Sequence, residues 1–256
     1  MLIGQQSKPF LLSVEALTVS FDGFKAVNDL SFYVDENEIR VIIGPNGAGK
    51  TTVLDLICGK TKATSGSIQF RNQELTRMKE NQIVQAGVGR KFQTPSIYDD
   101  LTVFENLEIS FPRGRTVFGA LAFKRDAAVR DRVEEVAEMI FLKDRLNMNA
   151  DLLSHGQKQW LEIGMLLMQN PKLLLLDEPV AGMTDEETDR TAELFLSLEG
   201  SHSLVVVEHD MKFIHALTHG NPAKKVTVLH EGSVLAEGSL AEVQADEKVV
   251  EVYLGR

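Results

Sequence analysis

The chain has 256 residues, 43% of them hydrophobic and 25% charged, which is typical of a soluble globular protein with room for one domain and an insertion. Its formal net charge of -10 argues against sequence-independent binding of DNA or RNA, which requires Lys and Arg facing the phosphates. A single cysteine, Cys58, excludes an internal disulfide framework, and because no segment resembles a secretion leader or reaches the roughly 20 apolar residues of a membrane span, we expect a cytoplasmic protein.

Apolar, β-rich runs alternate with helical stretches, which is the pattern of strands joined by crossover helices. The runs are Leu11–Val19, Ile39–Ile43, Leu173–Leu176, Leu204–Val207 and Val226–Leu229. The near-continuous apolarity of Leu173–Leu176 and Leu204–Val207 favours parallel strands covered on both faces. The sequence therefore predicts an α/β fold.

A glycine-rich stretch, GPNGAGKT, follows the strand Ile39–Ile43 directly and precedes the helical run Thr52–Ile57. This is the G-x-x-x-x-G-K-T phosphate loop in the strand-loop-helix context that it requires. Its glycines let successive backbone N–H groups converge on an anion at a helix N-terminus. Lys50 would reach the β- and γ-phosphates, and the Thr51 hydroxyl would hold Mg²⁺. The alternative is a glycine-rich turn with a solvated lysine, but the four specified positions with correct flanks favour nucleotide binding. The predicted contact residues are Gly44, Pro45, Asn46, Gly47, Ala48, Gly49, Lys50, Thr51 and Thr52.

Helical patterns replace strands between Phe92 and Gln169, in DLTVFENLEI, KRDAAVRDRVEEVAEMIFL and SHGQKQWLEIGMLLMQ. The piece FPRGRT, at 111–116, is the most loop-like part, since Pro and Gly break both periodicities. We predict a helical subdomain at residues 93–170, inserted into a nucleotide-binding core formed by residues 1–92 and 171–256.

The last of these helical stretches is expected to begin at Ser154. Ser154 and Gln157 form an S-x-x-Q capping box, in which each side chain satisfies an orphan N–H group. The capped end still presents free N–H groups and the positive end of the helix dipole. It is an anion site apart in sequence from the phosphate loop, and one nucleotide does not need both.

The run LLLLDEP, at 173–179, ends a buried strand with two acids. Carboxylates at the C-terminal end of a parallel strand face the crevice where open α/β sheets bind ligands. We expect Asp177 to orient Mg²⁺ and its waters, and Glu178 to polarise a water for attack on the γ-phosphate. The alternative is a pair of acids that simply cap a strand at the surface.

Histidines near the C-terminus allow a second interpretation. His215 and His219 are four residues apart, as a metal pair on one helix face would be, but they lack an obvious third ligand. Gly220, Asn221 and Pro222 follow them, so a helix C-terminus is the better interpretation and we reject a zinc site. The pair Gly87 and Gly89 lacks the third glycine of a dinucleotide fingerprint and carries no weight.

Five motifs in a fixed order resemble those of ATP-binding-cassette ATPases: GPNGAGKT, Gln93 in RKFQTP, LSHGQ at 153–157, LLLLDEP, and His209 in VVVEHD. The resemblance extends from Leu11 to Arg256. It implies a RecA-like core of P-loop NTPase type, an antiparallel β N-terminal portion and the helical insertion already inferred. In this family two copies pack head to tail, and the signature helix of one points its N-terminus at the γ-phosphate of the ATP held by the other.

The resemblance also assigns roles to single positions. Phe21 would stack on adenine, although it could instead be a core strand residue. Gln93 would sense Mg²⁺ and the γ-phosphate and relay their state to a membrane subunit, and His209 would contact the γ-phosphate and position the attacking water. The signature residues Ser154, His155, Gly156 and Gln157 would contact ATP. The resemblance implies that Lys50 and Glu178 are also catalytic, alongside Gln93 and His209.

Two positions depart from the family pattern. His155 stands where the family usually has Gly, which places a ring beside the phosphate-facing backbone. After LLLLDEPVAGM the family often has Asp or Asn, whereas here Thr184 precedes Asp185. The assignment of that loop's polar contact is therefore open.

Longer segments resemble the branched-chain amino-acid branch of import ATPases, and within it Arg90–Ala128 and LLSHGQKQWLEIGMLL closely resemble the ATPase subunit of bacterial urea transporters. The resemblance implies an ATPase at the cytoplasmic face of a membrane that energises urea uptake, with branched-chain amino-acid import as the alternative. Implied partners are transmembrane permease subunits, a second cassette ATPase and, indirectly, a periplasmic or extracellular solute-binding protein. Residues 94–115 and the FPRGRTVFGALAF portion would help form the permease groove, unless they are an ordinary solvated loop and helix.

Two rivals remain. Soluble cassette ATPases of ribosomes usually carry two cassettes in one chain, and those of chromosomes carry a long coiled coil, neither of which is present in this acidic sequence. A binding module that has lost catalysis is the second rival, but Lys50, Asp177, Glu178 and His209 are all retained.

Overall fold

A computed structural model describes residues 10–92, 96–112, 127–221 and 224–254. Its strands are β1 (Leu12–Phe21), β2 (Phe24–Val34), β3 (Ile39–Ile43), β4 (Ser65–Phe70), β5 (Gln73–Glu74), β6 (Val88–Lys91), β7 (Leu173–Asp177), β8 (Ser203–Val207), β9 (Val226–His230) and β10 (Ser233–Gly238). Its α-helices are α1 (Lys50–Ile57), α2 (Glu80–Ala86), α3 (Val103–Ile109), α4 (Ala127–Met139), α5 (His155–Leu167), α6 (Asp185–Leu198), α7 (Met211–Thr218), α8 (Leu240–Ala245) and α9 (Glu247–Leu254). Short 3₁₀ turns lie at Lys143–Arg145 and Ala150–Leu152.

The strands form two sheets. An antiparallel sheet has the order β2-β1-β4-β5, and a six-stranded sheet has the order β10-β9-β3-β8-β7-β6. In the second sheet β9, β3, β8, β7 and β6 are parallel, and only the edge strand β10 is antiparallel. The predicted α/β class with an antiparallel N-terminal portion and a helical portion is confirmed.

The parallel strands are apolar throughout because each face packs on a different core. Alternate residues, Ile42, Leu173, Leu175, Val205 and Val207, face α1 and the antiparallel sheet. The residues between them, including Val41, Leu174, Leu176, Leu204 and Val206, face a second core with α3 to α7. Side chains in a strand alternate between its two faces, so burial on both sides requires an unbroken apolar run.

A buried arginine joins the strands of the two sheets. The Arg40 side chain is fully buried and donates to the backbone oxygen of Tyr33 in β2 at 2.7 Å and to Thr227 Oγ1 in β9 at 2.9 Å. It also forms ion pairs with Glu38 and with Glu237 of β10. This network lies at the β9–β10 edge.

The elements described between Val103 and Leu167 are helical, apart from the connecting turns. The helix predicted from DLTVFENLEI begins at Val103, because Thr102 and Glu105 form a capping box there. FPRGRT extends beyond the described residues after Pro112, and the subdomain boundaries at residues 93 and 170 stay predictions. No helix in the described part of the chain combines the length and apolarity needed to cross a membrane.

Candidate nucleotide site

The predicted catalytic motifs lie at one edge of the six-stranded sheet. Strands β3, β8 and β7 are adjacent and parallel, so their carboxyl ends meet at this edge. The glycine-rich loop follows β3, His209 follows β8, and Asp177 and Glu178 come at the end of β7. The fold therefore brings the glycine-rich loop next to segments that are more than a hundred residues away in sequence.

The glycine-rich loop is tightly wrapped and leads into α1. Gly49 is the N-cap of that helix with φ 96°, and a Cβ there would lie 2.5 Å from the backbone oxygen of Ala26. A Cβ on Gly44 would lie 2.3 Å from the backbone oxygen of Leu229. Only glycine fits at these two positions, because larger residues would collide with the backbone of β2 and β9.

Lys50 folds back over the loop. Its Nζ donates to the backbone oxygens of Gly44 at 2.7 Å and Pro45 at 3.0 Å. Burial lowers the pKa of Lys50 from its ordinary value, while the charges of Glu178 and Asp177 oppose that shift. The ammonium is thus held across the loop where a phosphate anion would be cradled. Asn46 and Gly47 are exposed at the loop tip, Ala48 is buried, and Thr52 is partly buried.

Thr51 and Asp177 form an oxygen donor set. The Thr51 hydroxyl lies 3.4 Å from Asp177 Oδ1, and the Asp177 side chain is almost fully buried. Burial raises the pKa of Asp177, and the Thr51 hydrogen bond and the charge of Arg90 counter that rise. Hydroxyl and carboxylate oxygens beside a phosphate loop are the ligands that Mg²⁺ prefers, so these residues fit the metal.

Glu178 and His209 face each other at the end of the sheet. His209 Nδ1 lies 3.5 Å from Glu178 Oε1, with the histidine side chain 69% exposed and the glutamate 29% exposed. Glu178 has φ 46°, which a non-glycine residue adopts rarely and at an energetic cost. Both side chains reach solvent at the sheet edge, where a phosphate-bound water could lie.

Two buried charged residues at this edge were missed by sequence reasoning. Arg90, in β6, contacts Asp55 of α1 and lies 3.7 Å from Asp177 Oδ2. Glu208 is 1% exposed and accepts hydrogen bonds from the backbone N–H groups of Val180 and His209, in the segments that carry Glu178 and His209. The sequence signal for Glu208 was its position at the end of an apolar strand, the same signal that identified Asp177.

The helix that carries the signature motif begins as predicted. Ser154 is its N-cap, and the capping box with Gln157 is present, with N–H···O distances of 3.0 and 3.2 Å. Ser154 Oγ also donates to Glu187 Oε1 of α6 at 2.9 Å. No hydrogen bond or ion pair among the described residues joins Ser154 or Gln157 to the phosphate loop of the same chain.

The two departures from the family pattern have local partners. The exposed His155 ring lies with Nε2 3.0 Å from the backbone oxygen of Ala181, in the loop after Glu178. Thr184 caps α6 through a box with Glu187, whose pKa is lowered chiefly by the Thr184 backbone N–H. Gly156 packs so closely on α6 that a Cβ would lie 2.4 Å from Glu187 Cδ. The signature helix and α6 are therefore tied together within the chain.

The remaining predicted positions have separate outcomes. Phe21 is 48% exposed at the end of β1, so it is not a core residue. It pairs with Phe24, which is 67% exposed and was not predicted. The hairpin lies on the side of the phosphate loop, because Val27 Cγ2 would lie 3.6 Å from a Cβ on Gly49. Gln93 lies outside the described residues.

The histidine pair and the GVGRK segment are also located. α7 ends at Thr218 with His219 as its C-cap, which confirms the predicted helix C-terminus. No cluster of three or more potential metal ligands occurs in the described part of the chain. GVGRK, which received no assignment from its glycines, contains the edge strand β6.

Known proteins are similar to this chain over nearly its whole length. Residues 27–181 match the family described as ABC transporter, and residues 233–256 match the branched-chain amino acid ATP-binding cassette transporter family. The chain is 34% identical over 258 residues to the high-affinity branched-chain amino acid transport ATP-binding protein BraF of Pseudomonas aeruginosa, covering 97% of this chain and 99% of that protein. It is 35% identical over 254 residues to the corresponding protein LivG of Escherichia coli, covering 96% and 98%.

Solved structures agree. A nucleotide-free ATP-binding cassette from an ABC transporter is similar to this chain, with a TM-score of 0.83 and 29% identity. The match covers 97% of this chain and 100% of the other. An ATP-binding cassette in its ADP conformation has a TM-score of 0.82 and 30% identity, with coverage of 97% and 100%. The names of the two curated relatives state transport of branched-chain amino acids. They therefore favour branched-chain amino acids, the alternative solute, over urea.

Proposed function

The chain belongs to the ABC transporter family as an ATPase of the branched-chain amino-acid type, and from that premise we propose that it powers a membrane importer by hydrolysing ATP at the carboxyl edge of its six-stranded sheet. The observation that carries the proposal is the meeting of the phosphate loop, the Asp177–Glu178 pair and His209 at the ends of adjacent parallel strands. The ADP-bound relative supports nucleotide binding.

The phosphate loop holds the triphosphate. Backbone N–H groups at the start of α1 face the phosphates, and Lys50 exchanges its two carbonyl partners for β- and γ-phosphate oxygens. Phe21, exposed on the β1–β2 hairpin, stacks on the adenine ring. Binding the anion satisfies groups that otherwise bond only to the loop itself.

Thr51 and Asp177 hold Mg²⁺, with Gln93 as a further ligand. The ion supplies neutralisation of the charge on the β- and γ-phosphate oxygens. Asp177 is kept in place by Thr51 on one carboxylate oxygen and by Arg90 on the other. Its burial keeps competing water away from the metal ligand.

Glu178 is the general base. A water oxygen forms a bond to the γ-phosphorus, the bond from that phosphorus to the β–γ bridging oxygen breaks, and the water proton passes to the Glu178 carboxylate. His209, whose Nδ1 is 3.5 Å from Glu178 Oε1, orients the water and contacts the γ-phosphate. ADP and phosphate leave as products.

A second cassette completes the site. The signature residues at the N-terminus of this chain's signature helix are Ser154, His155, Gly156 and Gln157, of which Ser154 and His155 are exposed and Gly156 is buried against Glu187 of α6. Among the described residues, Ser154 bonds to Glu187 of its own chain and not to its own phosphate loop. The N–H groups and dipole of the helix are therefore available to the γ-phosphate held by a partner cassette. Two ATP molecules close the pair, and hydrolysis reopens it.

Membrane-spanning permease subunits, served by an external solute-binding protein, are the remaining partners, with this chain on the cytoplasmic face. Tyr98, whose backbone N–H bonds to Asn106 of α3, and Ile109, at the end of α3, are both more than half exposed, and this surface suits a permease segment. No nucleic acid is a partner, in keeping with the net charge of -10.

Branched-chain amino acids are the first candidate solute, because the curated relatives of nearly full coverage transport them. Urea is the second, suggested by the residue patterns of Arg90–Ala128 and of LLSHGQKQWLEIGMLL. Uptake of radiolabelled leucine and of radiolabelled urea in cells lacking this gene decides between them. The lost uptake should return with the wild-type gene and not with a Lys50→Ala copy.

Glu178→Gln tests the catalytic proposal. The variant should lose steady-state ATP hydrolysis, keep ATP affinity, and accumulate an ATP-bound dimer in size-exclusion chromatography, because the base is removed and the phosphate contacts remain. Glu186→Gln is the matched control, an exposed carboxylate in the first turn of α6 that should leave hydrolysis unchanged. Unchanged hydrolysis in Glu178→Gln would remove this residue from the role.

A further inference from the structure

We propose that Glu208 is a positioning residue that sets the separation of Glu178 and His209, an inference that rests on the proposed ATP hydrolysis. Glu208 follows β8 directly and is 1% exposed. Neither the family motifs nor the sequence pattern assigned it a role. Its carboxylate lies 4.0 Å from the His209 ring and accepts hydrogen bonds from backbone N–H groups of the segments that carry Glu178 and His209.

Glu208 uses both carboxylate oxygens to join two segments. Oε1 accepts from the Val180 N–H at 3.2 Å, two residues after Glu178. Oε2 accepts from the N–H groups of His209 at 3.0 Å and Asp210 at 3.3 Å. The side chain is therefore a bridge between the segment that carries the general base and the segment that carries the histidine.

The backbone around this bridge is anchored to the phosphate-loop strand. The Glu208 N–H donates to the backbone oxygen of Ile42 in β3 at 3.2 Å, two residues before Gly44. The Glu178 N–H donates to the backbone oxygen of Val207 at 2.9 Å. Glu208 thus has fixed positions relative to all three catalytic segments, and its side chain has little freedom to move.

The bridge holds the segment that carries Glu178 in a strained backbone conformation. Glu178 has φ 46°, a conformation that costs free energy for a residue with a Cβ and persists only where its surroundings hold it. The turn after Glu178 is fixed by the Val180 N–H bond to Glu208. On the other side, Asp210 Oδ1 caps α7 by accepting from the Phe213 N–H at 2.9 Å. His209 is held between these two anchors.

A structural purpose alone explains this carboxylate poorly. Among the described residues, Glu208 has one ion pair, with His209 Nδ1 at 4.0 Å, and the charge of the buried Lys91 acts on it from beyond ion-pair distance. An almost fully buried carboxylate without a close cation is costly to desolvate. Three backbone donors aimed at its two oxygens offset that cost, and they all belong to the segments that carry Glu178 and His209.

The test is Glu208→Gln. Gln has nearly the same shape as Glu, but only its Oε1 can accept a hydrogen bond, because the other oxygen is replaced by an NH₂ group. Because an amide NH₂ would face a backbone N–H, one anchored segment must shift. We expect a fall in kcat of about 100-fold, with KM for ATP changed by less than about threefold. We also expect ATP-dependent dimerisation to persist, since the phosphate loop and the signature helix are untouched.

Two variants serve as controls. Glu237→Gln alters a carboxylate that pairs with Arg40, away from the catalytic segments, and should lower the melting temperature without changing turnover per folded molecule. Glu178→Gln, measured in parallel, separates the two proposals. If it retains full hydrolysis, the proposed catalytic role fails, whereas loss of hydrolysis there with wild-type turnover in Glu208→Gln overturns the Glu208 inference alone.

Other outcomes also decide the matter. A fall in kcat accompanied by an equal loss of ATP affinity or of ATP-dependent dimerisation would show a general structural defect and overturn the inference. If Glu208→Gln does not fold, Glu208→Asp replaces it, because Asp keeps the charge but is too short to bridge both segments. A folded Glu208→Asp with full turnover would overturn the inference, and slow turnover with unchanged KM would support it.

Discussion

Arg90 provides the sharpest stability prediction. Its side chain is 5% exposed, forms a hydrogen-bonded ion pair with Asp55 and lies 3.7 Å from Asp177. Replacing it by Met fills most of the volume but removes the Arg90 ion pair of both carboxylates and leaves Asp55 with the exposed Lys60 alone. Breaking a buried pair by removing one partner costs about 3–5 kcal/mol, and we expect the lower end, about 3, because the Asp55 side chain is 18% exposed.

Asp55 also pairs with a second, exposed cation, and that pair provides a matched control. Lys60 lies 3.7 Å from Asp55 Oδ1 on the solvent side, and its side chain is 53% exposed. An exposed pair contributes about 0–1 kcal/mol, so Lys60→Met should change stability little. For a chain of this size 1 kcal/mol corresponds to about 2–4 °C, so Arg90→Met should lower the melting temperature by about 6–12 °C and Lys60→Met by less than about 4 °C.

The assay is unfolding of the nucleotide-free protein by heat and by urea, followed by circular dichroism. Arg90→Lys should recover only part of the loss, because an ammonium cannot contact both carboxylates in the fork geometry of a guanidinium. Equal shifts for Arg90→Met and Lys60→Met would refute the argument that burial makes the Arg90 pair strong. So would a stability of Arg90→Met within about 1 kcal/mol of the wild type.

The remaining predictions concern the signature helix and a buried histidine. Gly156→Ala should displace Glu187, whose Cδ would lie 2.4 Å from the new Cβ, and destabilise the protein by about 1 kcal/mol through loss of the shared cap, as measured by urea denaturation. Adding Glu187→Ala should then cost less than it does in the wild type, and full additivity would contradict the clash. Burial lowers the pKa of His202 below its ordinary 6.5, so the unfolded state binds more protons as the pH falls below 6.5, and the free energy of unfolding should fall there. His202→Gln should remove that part of the pH dependence. If the free energy of unfolding falls equally with pH in the wild type and in His202→Gln, His202 is not the cause.

Much of the site was readable from sequence because its chemistry is local. The glycines, lysine and threonine of the phosphate loop all lie between Gly44 and Thr51, and a mostly apolar strand precedes them. The cap at Ser154 is equally local, since its donor and acceptor are three residues apart. The predicted strands at Ile39–Ile43, Leu173–Leu176 and Leu204–Val207 are present with at most one extra residue at an end.

The missed elements depend on neighbours in space. β6 contains Gly89, Arg90 and Lys91, so its sequence is not that of a buried strand. It is buried because α1 supplies Asp55 to Arg90, and α5 supplies Glu162, whose Oε2 lies 3.7 Å from Lys91 Nζ. β10 was missed for a similar reason, since its residues are only partly buried at a sheet edge.

The sequence by itself determined the α/β class, the phosphate loop, the two acids at the end of β7 and the start of the signature helix, because each follows from periodicity or from groups a few residues apart. Only the tertiary structure decided the contacts of Arg90 with Asp55, of Glu208 with the Val180 N–H and of Glu187 with Ser154. A buried charge is stable only beside groups that can neutralise it or bond to it. Those groups come from strands and helices distant in sequence, and the order of strands in the sheet determines which of them meet.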